Sequence, residues 1–215
     1  MSAARSKNPR RPSAPLTLLP ETICRYDGPL WRIHTTTGRH PQEWNDLRWN
    51  GPIHNQRWDP QRGPVEAVST AGVSYAAVDY VTCFSEVFQR DRQISRTSDR
   101  ALSGWKPTRP LELVNLLGGD GTGDWAVKHG ASASLPQAPK STCRAWAAEI
   151  YEQLGARIDG LLVPSTVLGD PMVVLFTRSV SAFPIGPDFS RSLEHVAVTR
   201  MAIKASDRLG WALTV

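Results

Sequence analysis

Six polar residues with side chains suited to chemistry lie at the ends of predicted strands, in a loop, or on a predicted helix. They are Arg32, His34, Arg57, Tyr75, Glu86 and Ser165. Arginine forks bind phosphate oxygens through paired hydrogen bonds, and aromatic rings stack on flat heterocycles. A single carboxylate can accept hydrogen bonds from ribose hydroxyls and can offset positive charge at an anomeric carbon. If these side chains share one cleft, they predict a site for a phosphate-bearing heterocyclic ligand.

Each of these residues also has a purely structural explanation. Arg32 is equally consistent with an ion pair to a surface acid, Arg57 with support of its own loop, and Glu86 with a salt bridge to either arginine. The tyrosine is consistent with a core position, the serine with a turn hydroxyl, and the histidine with a place on a strand face. No single residue in the set is specific for a ligand site.

One strand followed directly by one helix is expected to position the carboxylate. Residues 73–78 are small or β-branched and predict a short buried strand. Residues 79–89 predict an amphipathic helix with Glu86 beside its apolar stripe. That stripe consists of Val81, Phe84, Val87 and Phe88.

Further strands are predicted at residues 30–34, 111–116, 159–165 and 171–176. Ser141 or Thr142 is expected to cap a helix that ends at Gly155. A last short helix is predicted around residues 201–209. There is no internal repeat and no second apolar core, so the sequence predicts a single α+β domain.

Three connecting stretches lack a strong periodic pattern. Residues 39–70 predict an ordered loop, because three tryptophans within it can bury large areas against a sheet. Residues 90–109 are polar and rich in arginine. Residues 118–123 are rich in glycine but lack the Gly-Lys-Ser/Thr of a phosphate-binding loop, which favours a flexible loop.

Composition excludes several classes of protein. The formal net charge is +5, and four of these charges come from Arg5, Lys7, Arg10 and Arg11 within residues 1–20, which contain no acid. Residues 1–22 therefore predict a disordered basic leader, and the nearly neutral remainder argues against direct nucleic-acid binding by the domain.

No apolar run is long enough to span a membrane, and no secretory signal is present. Three cysteines without metal or disulfide spacing favour a reducing cytoplasm.

The candidate residues fall within an ordered set of motifs that resembles the RES-domain family. The motifs are Trp-Arg-Ile-His at residues 31–34, Gln-Arg-Trp-Asp-Pro at 56–60, Gly-Val-Ser-Tyr-Ala-Ala at 72–77, Phe-Ser-Glu-Val-Phe at 84–88, Asp-Gly-Leu-Leu-Val-Pro-Ser at 159–165 and Val-Val-Leu-Phe at 173–176. Their order and spacing agree over roughly residues 26–178. Each motif is short, so the resemblance depends on the whole set.

The resemblance implies an ADP-ribosyltransferase-like fold with a split β-sheet core over residues 23–215 and a cleft for NAD. It implies an enzyme that cleaves the nicotinamide–ribose bond of NAD, as the toxin of a bacterial type II toxin–antitoxin pair. The implied partners are NAD as substrate and a small Xre-like helix-turn-helix antitoxin, without a metal. Two alternatives stay open: a protein ADP-ribosyltransferase, or a catalytically silent nucleotide-binding module.

The resemblance assigns Arg32, Glu86 and Ser165 as the catalytic set, with Arg57 and Tyr75 in support. Arg32 and Arg57 are expected to clamp the NAD diphosphate, and Tyr75 to stack on the nicotinamide or its ribose. Glu86 is expected to bind ribose hydroxyls and stabilise the oxocarbenium-like charge. Ser165 is expected to bond the nicotinamide amide or to orient Glu86.

Overall fold

The computed structural model describes residues 6–38, 40–65, 67–118 and 124–214. The strands are β1 Ile23–Tyr26, β2 Leu30–Thr35, β3 Arg48–Gly51, β4 Ala67–Ala77, β5 Gln93–Ser95, β6 Arg100–Trp105, β7 Leu111–Asn115, β8 Gly160–Pro164, β9 Pro171–Phe176, β10 Phe189–Ser192 and β11 Ala212–Thr214. The α-helices are α1 Tyr80–Phe88, α2 Trp125–Lys128, α3 Lys140–Leu154 and α4 Val196–Leu209. The predicted α+β class is confirmed.

The main sheet has the strand order β1-β7-β8-β9-β4-β2-β6-β10, with β3 also paired to β4. Most pairs are antiparallel, while β7 and β8 are parallel. A separate two-stranded parallel sheet joins β11 to β5. Helices α1, α3 and α4 cover one face of the main sheet.

The main sheet opens between β2 and β4. These two strands pair only at Trp31 and Ala77, whereas β2 and β6 pair at six successive positions. Strand β3 takes over as the neighbour of β4 at Val73. Residues 74–76 of β4 therefore face a gap between β2 and β3, and the two halves of the sheet diverge there.

Two apolar clusters pack against opposite faces of this sheet. The cluster beneath the helices includes Phe84, Trp146 and Val198, and the second includes Leu30 and Trp44. Because alternate residues of a strand point to opposite faces, Arg32 shares the face of Leu30.

Glycine is required where β8 begins. Gly160 has φ +155°, and a Cβ on it would lie 1.9 Å from the backbone oxygen of Val174 on β9. No side chain fits between these two strands at that point. The pairing of β8 with β9 begins at this glycine.

Four local predictions differ from the structure. Strand β3 lies within the predicted 39–70 loop, and β6 lies within the polar 90–109 stretch. Strand β6 is flanked by β2 and β10 and is buried on both faces at positions 101–105, so it shows no alternating pattern. Val87 is 38% exposed and does not belong to the buried stripe of α1. Helix α3 begins at Lys140 after Pro139, without a side-chain cap from Ser141 or Thr142.

Two further predictions concern the chain ends and the glycine loop. The last helix, α4, is longer than predicted because it begins at Val196. Within the glycine-rich stretch, residues 119–123 lie outside the described residues.

The described part of the predicted leader packs against the domain. The indole nitrogens of Trp146 and Trp125 donate to the carbonyl oxygens of Pro9 and Thr17, each at 2.9 Å. Leu16 is 5% exposed and joins the core beneath the helices. Leu18 and Leu19 also pack against this core, and Asn8 bonds to Ser132 and Ser134. Composition predicts disorder here because these contacts are scattered along the stretch and leave no periodic apolar pattern. Residues 1–5 lie outside the described residues.

Candidate functional site

A cavity of about 1040 Å³ opens where the sheet splits. Its walls come from residues 31–33 of β2, residues 73–77 of β4 and the last turns of α1. Ligand pockets commonly have volumes of about 300–1,000 Å³. The volume of this cleft is therefore sufficient for a drug-sized or dinucleotide-sized ligand. The sheet split therefore creates a ligand-sized cleft next to the predicted carboxylate.

Glu86 lines this cleft and is held by donors from the loop after β8. Its Oε1 accepts hydrogen bonds from Ser165 Oγ at 2.6 Å, from the backbone nitrogen of Thr166 at 2.8 Å, and from Thr166 Oγ1 at 3.4 Å. Its Oε2 accepts a bond from Gln89 Nε2 at 3.2 Å. These donors fix the orientation of the carboxylate.

A capping residue fixes the start of the helix that carries Glu86. The Asp79 side chain accepts a hydrogen bond from the Thr82 backbone nitrogen at 2.9 Å, which starts α1 directly after β4. Phe84 and Phe88 stack on each other and are buried in the apolar cluster beneath the helices. Glu86 lies between them in sequence and therefore faces away from that core.

Ser165 contacts Glu86 from behind the cleft wall and does not line the cavity. It is 2% exposed. Its Oγ donates to Glu86 and accepts hydrogen bonds from the backbone nitrogens of Val167 and Leu168, both at 3.1 Å. With these partners the hydroxyl proton points at the carboxylate. The geometry favours orientation of Glu86 over contact with a ligand.

Arg32 lines the cleft, but its guanidinium is engaged by the loop before β3. Nη1 donates to the carbonyl oxygens of residues 43, 44 and 46, the shortest being Asp46 at 2.7 Å. Nη2 donates to Gln42 Oε1 at 2.7 Å. Burial lowers the pKa of Arg32 to about 10, although Asp46 opposes the shift, so the residue stays charged at neutral pH. Arg32 and Glu86 share the cleft without contacting each other.

Arg57 and Tyr75 lie together on a smaller cavity of about 80 Å³ that also touches Glu86. Arg57 Nη1 donates to the carbonyl oxygen of Ala138, and its Nε is buried without a hydrogen-bond partner in the part of the chain that the structure describes. Tyr75 also lines the large cleft, and its hydroxyl accepts a hydrogen bond from the Trp58 backbone nitrogen at 3.2 Å. Burial raises the pKa of Tyr75, so its hydroxyl stays protonated.

His34 lies on the same strand face as Arg32 and supports the same loop. Its Nδ1 is 2.7 Å from the Gln42 carbonyl oxygen, and its Nε2 is 2.9 Å from Ser103 Oγ. Burial lowers the pKa of His34, with some opposition from the Gln42 carbonyl. His34 therefore fits the structural explanation given above, a histidine on a strand face.

Sequence reasoning missed two residues at the site. Thr166 adds a backbone donor to Glu86 that no side-chain pattern reveals. Arg48 lines the cleft and pairs with the buried Asp59 at 2.8 Å. In the sequence, Arg48 is marked only by its position among the tryptophans of the predicted 39–70 loop.

No group of three or more metal-ligating side chains occurs within the described ranges. Likewise, none of the helices in that part of the chain is long and apolar enough to cross a membrane.

The fold and the cleft define a single-domain α+β protein with a ligand cleft at a split mixed sheet. A model of the RES domain matches residues 29–194, which is more than half of the chain. The chain therefore belongs to the RES-domain family.

A solved structure supports the same fold. A chain of the crystal structure of the M. tuberculosis MbcT–MbcA toxin–antitoxin complex has a TM-score of 0.53 and 15% identity, with coverage of 84% of this chain and 92% of that chain. The identity is low, so the similarity concerns the fold. A search of the curated proteins gave no significant match.

Proposed function

We propose that this protein is a NAD-consuming enzyme that cleaves the nicotinamide–ribose bond, and that it is the toxin of a bacterial toxin–antitoxin pair. Membership of the RES-domain family supports this proposal, and so does a fold shared with a chain of a toxin–antitoxin complex. The observation that carries it is a carboxylate, Glu86, held by Ser165 and Thr166 at the edge of a cleft large enough for a dinucleotide.

The charge of the cleft suits an anionic substrate. Among the described residues its lining includes five cations and three acids, so positive charge is in excess. Such an excess attracts the diphosphate of NAD and raises its local concentration. The nicotinamide ring of NAD carries a positive charge that passes to the ribose as the bond breaks, and a nearby carboxylate stabilises the charge on the ribose.

In the proposed reaction Glu86 acts through electrostatics and position. Its Oε2 has one long hydrogen bond within the described residues, which leaves it able to accept a bond from a ribose hydroxyl. Nicotinamide leaves as a neutral molecule, so the departure requires no general acid. As the bond lengthens, positive charge develops at the anomeric carbon and the preorganised carboxylate stabilises it.

The supporting residues have separate proposed roles. Ser165 and the Thr166 amide orient the Glu86 carboxylate through hydrogen bonds. Tyr75 offers its half-buried ring to the nicotinamide or ribose. Arg32 supplies a buried positive charge and holds the cleft wall at residues 42–46, a role that differs from the predicted diphosphate clamp because its donors are already engaged.

Incubation of the purified protein with NAD, with and without inorganic phosphate, tests the reaction. Release of nicotinamide is expected, and the second product identifies the acceptor. Free ADP-ribose indicates water, a phosphorylated ADP-ribose indicates phosphate, and labelled protein indicates a side chain. Unchanged NAD under all conditions, from a protein that unfolds cooperatively, would refute the proposed activity.

The partner is tested separately by growth and co-purification. Expression of the chain alone in bacteria is expected to stop growth, while the Glu86→Gln variant is expected to be tolerated. A small helix-turn-helix protein encoded beside it is expected to restore growth and to co-purify. Normal growth with soluble, NAD-consuming protein would count against a toxin role but not against the enzyme.

A further inference from the structure

The cations of the large cleft differ in how many of their donors are already used. They are Arg32, Arg48, Arg90, Arg100 and Lys140. Arg32 donates to four acceptors in the loop before β3. Arg48 donates to Asp59, to Gln61 and to the Asn50 carbonyl oxygen. Both of these guanidinium groups would lose internal hydrogen bonds if they turned toward a ligand.

Arg100 is different because its guanidinium has no acceptor among the residues that the structure describes. It begins β6 and is half-buried, and its Cζ lies 5.6 Å from the centre of the Phe88 ring. Within the described part of the chain its side chain makes no hydrogen bond or ion pair. Arg90 and Lys140 likewise have no partner in the described ranges, but both are exposed, where water satisfies their donors.

The contact with Phe88 holds the guanidinium without using its N–H groups. A cation over an aromatic face is attracted by the ring, while the N–H bonds stay in the guanidinium plane and point outward. Phe88 ends α1, two positions after Glu86, and both residues line the same cleft. A guanidinium fork with free donors therefore lines the same cleft as the proposed catalytic carboxylate.

The surroundings of Arg100 add polar groups. Ser95 and Thr97 line the same cleft just before β6, and Thr97 Oγ1 is buried without a hydrogen-bond partner among the residues described. Asp91 and Asp99 also line the cleft, but neither forms an ion pair with Arg100. The positive charge of Arg100 is therefore not neutralised by a direct contact.

We propose that Arg100 is a binding residue for the diphosphate of the dinucleotide substrate. The inference rests on the proposed function, and it moves the phosphate contact from Arg32 and Arg57 to a residue outside the motifs. A guanidinium fork matches two phosphate oxygens, and hydrogen bonds to charged groups are stronger than neutral ones. Loss of such a contact commonly weakens binding by about 10–100-fold.

Calorimetric titration with ADP-ribose, which keeps the diphosphate and lacks the scissile bond, tests this role. Arg100→Gln is expected to raise the Kd about 10–100-fold and to flatten its dependence on salt concentration. Arg100→Lys keeps the charge and the contact with Phe88, so a rise of about threefold to tenfold is expected. Arg200→Gln makes the same charge change at an exposed position on α4 and is expected to leave the Kd unchanged.

Each outcome has a defined consequence. A wild-type protein that binds ADP-ribose, with Arg100→Gln and Arg100→Lys binding equally well, would overturn the role of Arg100 and leave the proposed function intact. If Arg100→Gln unfolds, Arg100→Lys decides, and an unchanged Kd in that variant overturns the proposal. A wild-type protein that neither binds ADP-ribose nor consumes NAD would refute the proposed function, and the role of Arg100 would fail with it.

Discussion

Replacement of Arg32 by lysine is expected to destabilise the fold, although it preserves the charge. The guanidinium bridges two acceptors at 2.7 Å, Asp46 O and Gln42 Oε1, and also contacts the carbonyls of residues 43 and 44. Arg32 is 7% exposed, so water cannot replace these bonds. A single ammonium nitrogen on a shorter stem cannot reach both ends of this set.

The magnitude follows from the lost bonds. Hydrogen bonds to a charged donor contribute about 1.5–3 kcal/mol each, and two short ones are disrupted. With partial recovery by the lysine, we expect a loss of about 3 kcal/mol. For a domain of 150–250 residues each kcal/mol shifts the Tm by about 2–4 °C, so a decrease of about 6–12 °C is expected.

Thermal unfolding followed by circular dichroism measures this change. Arg25→Lys is the matched control, because Arg25 is also on a strand but its side chain is 70% exposed in its ion pair with Glu112. Its Tm is expected to change by about 1 °C or less. If Arg32→Lys stayed within about 2 °C of the wild type while ADP-ribose affinity fell, the diphosphate clamp predicted from the motif would be correct and the loop-anchoring role wrong.

Three other substitutions test the site. Glu86→Gln is expected to lower nicotinamide release by about 10²–10³-fold with little change in Tm, and full activity would remove Glu86 from the mechanism. Ser165→Ala is expected to lower kcat by about tenfold or more with a smaller effect on KM, because the residue orients Glu86 rather than contacting substrate; a change confined to KM would contradict this. His34 has a pKa lowered by burial, so its contribution to stability is present above pH 6.5 and is lost as the pH falls through its folded pKa. Urea unfolding of the wild type should therefore lose stability more steeply below pH 6.5 than that of His34→Gln, and parallel curves would count against a buried neutral histidine.

The site residues divide by whether their partners are local or distant. Asp79 caps α1 through a residue three positions away, and such a contact is readable from sequence. Ser165 reaches Glu86 across 79 positions, and only the order of the motifs suggested that contact. The pairing itself follows from β8 packing between β7 and β9, which places residue 165 beside α1.

The sequence by itself determined the α+β class, the strand–helix unit that carries Glu86, and the ordered motifs of the RES-domain family. It determined these because periodicity, caps and short motifs are local properties of the chain. Only the tertiary structure decided that Arg32 holds a loop, that β6 is buried on both faces, and that Arg100 faces the cleft. A guanidinium binds whichever acceptors the fold brings within about 3 Å, and those acceptors are set by strand order rather than by neighbours in sequence.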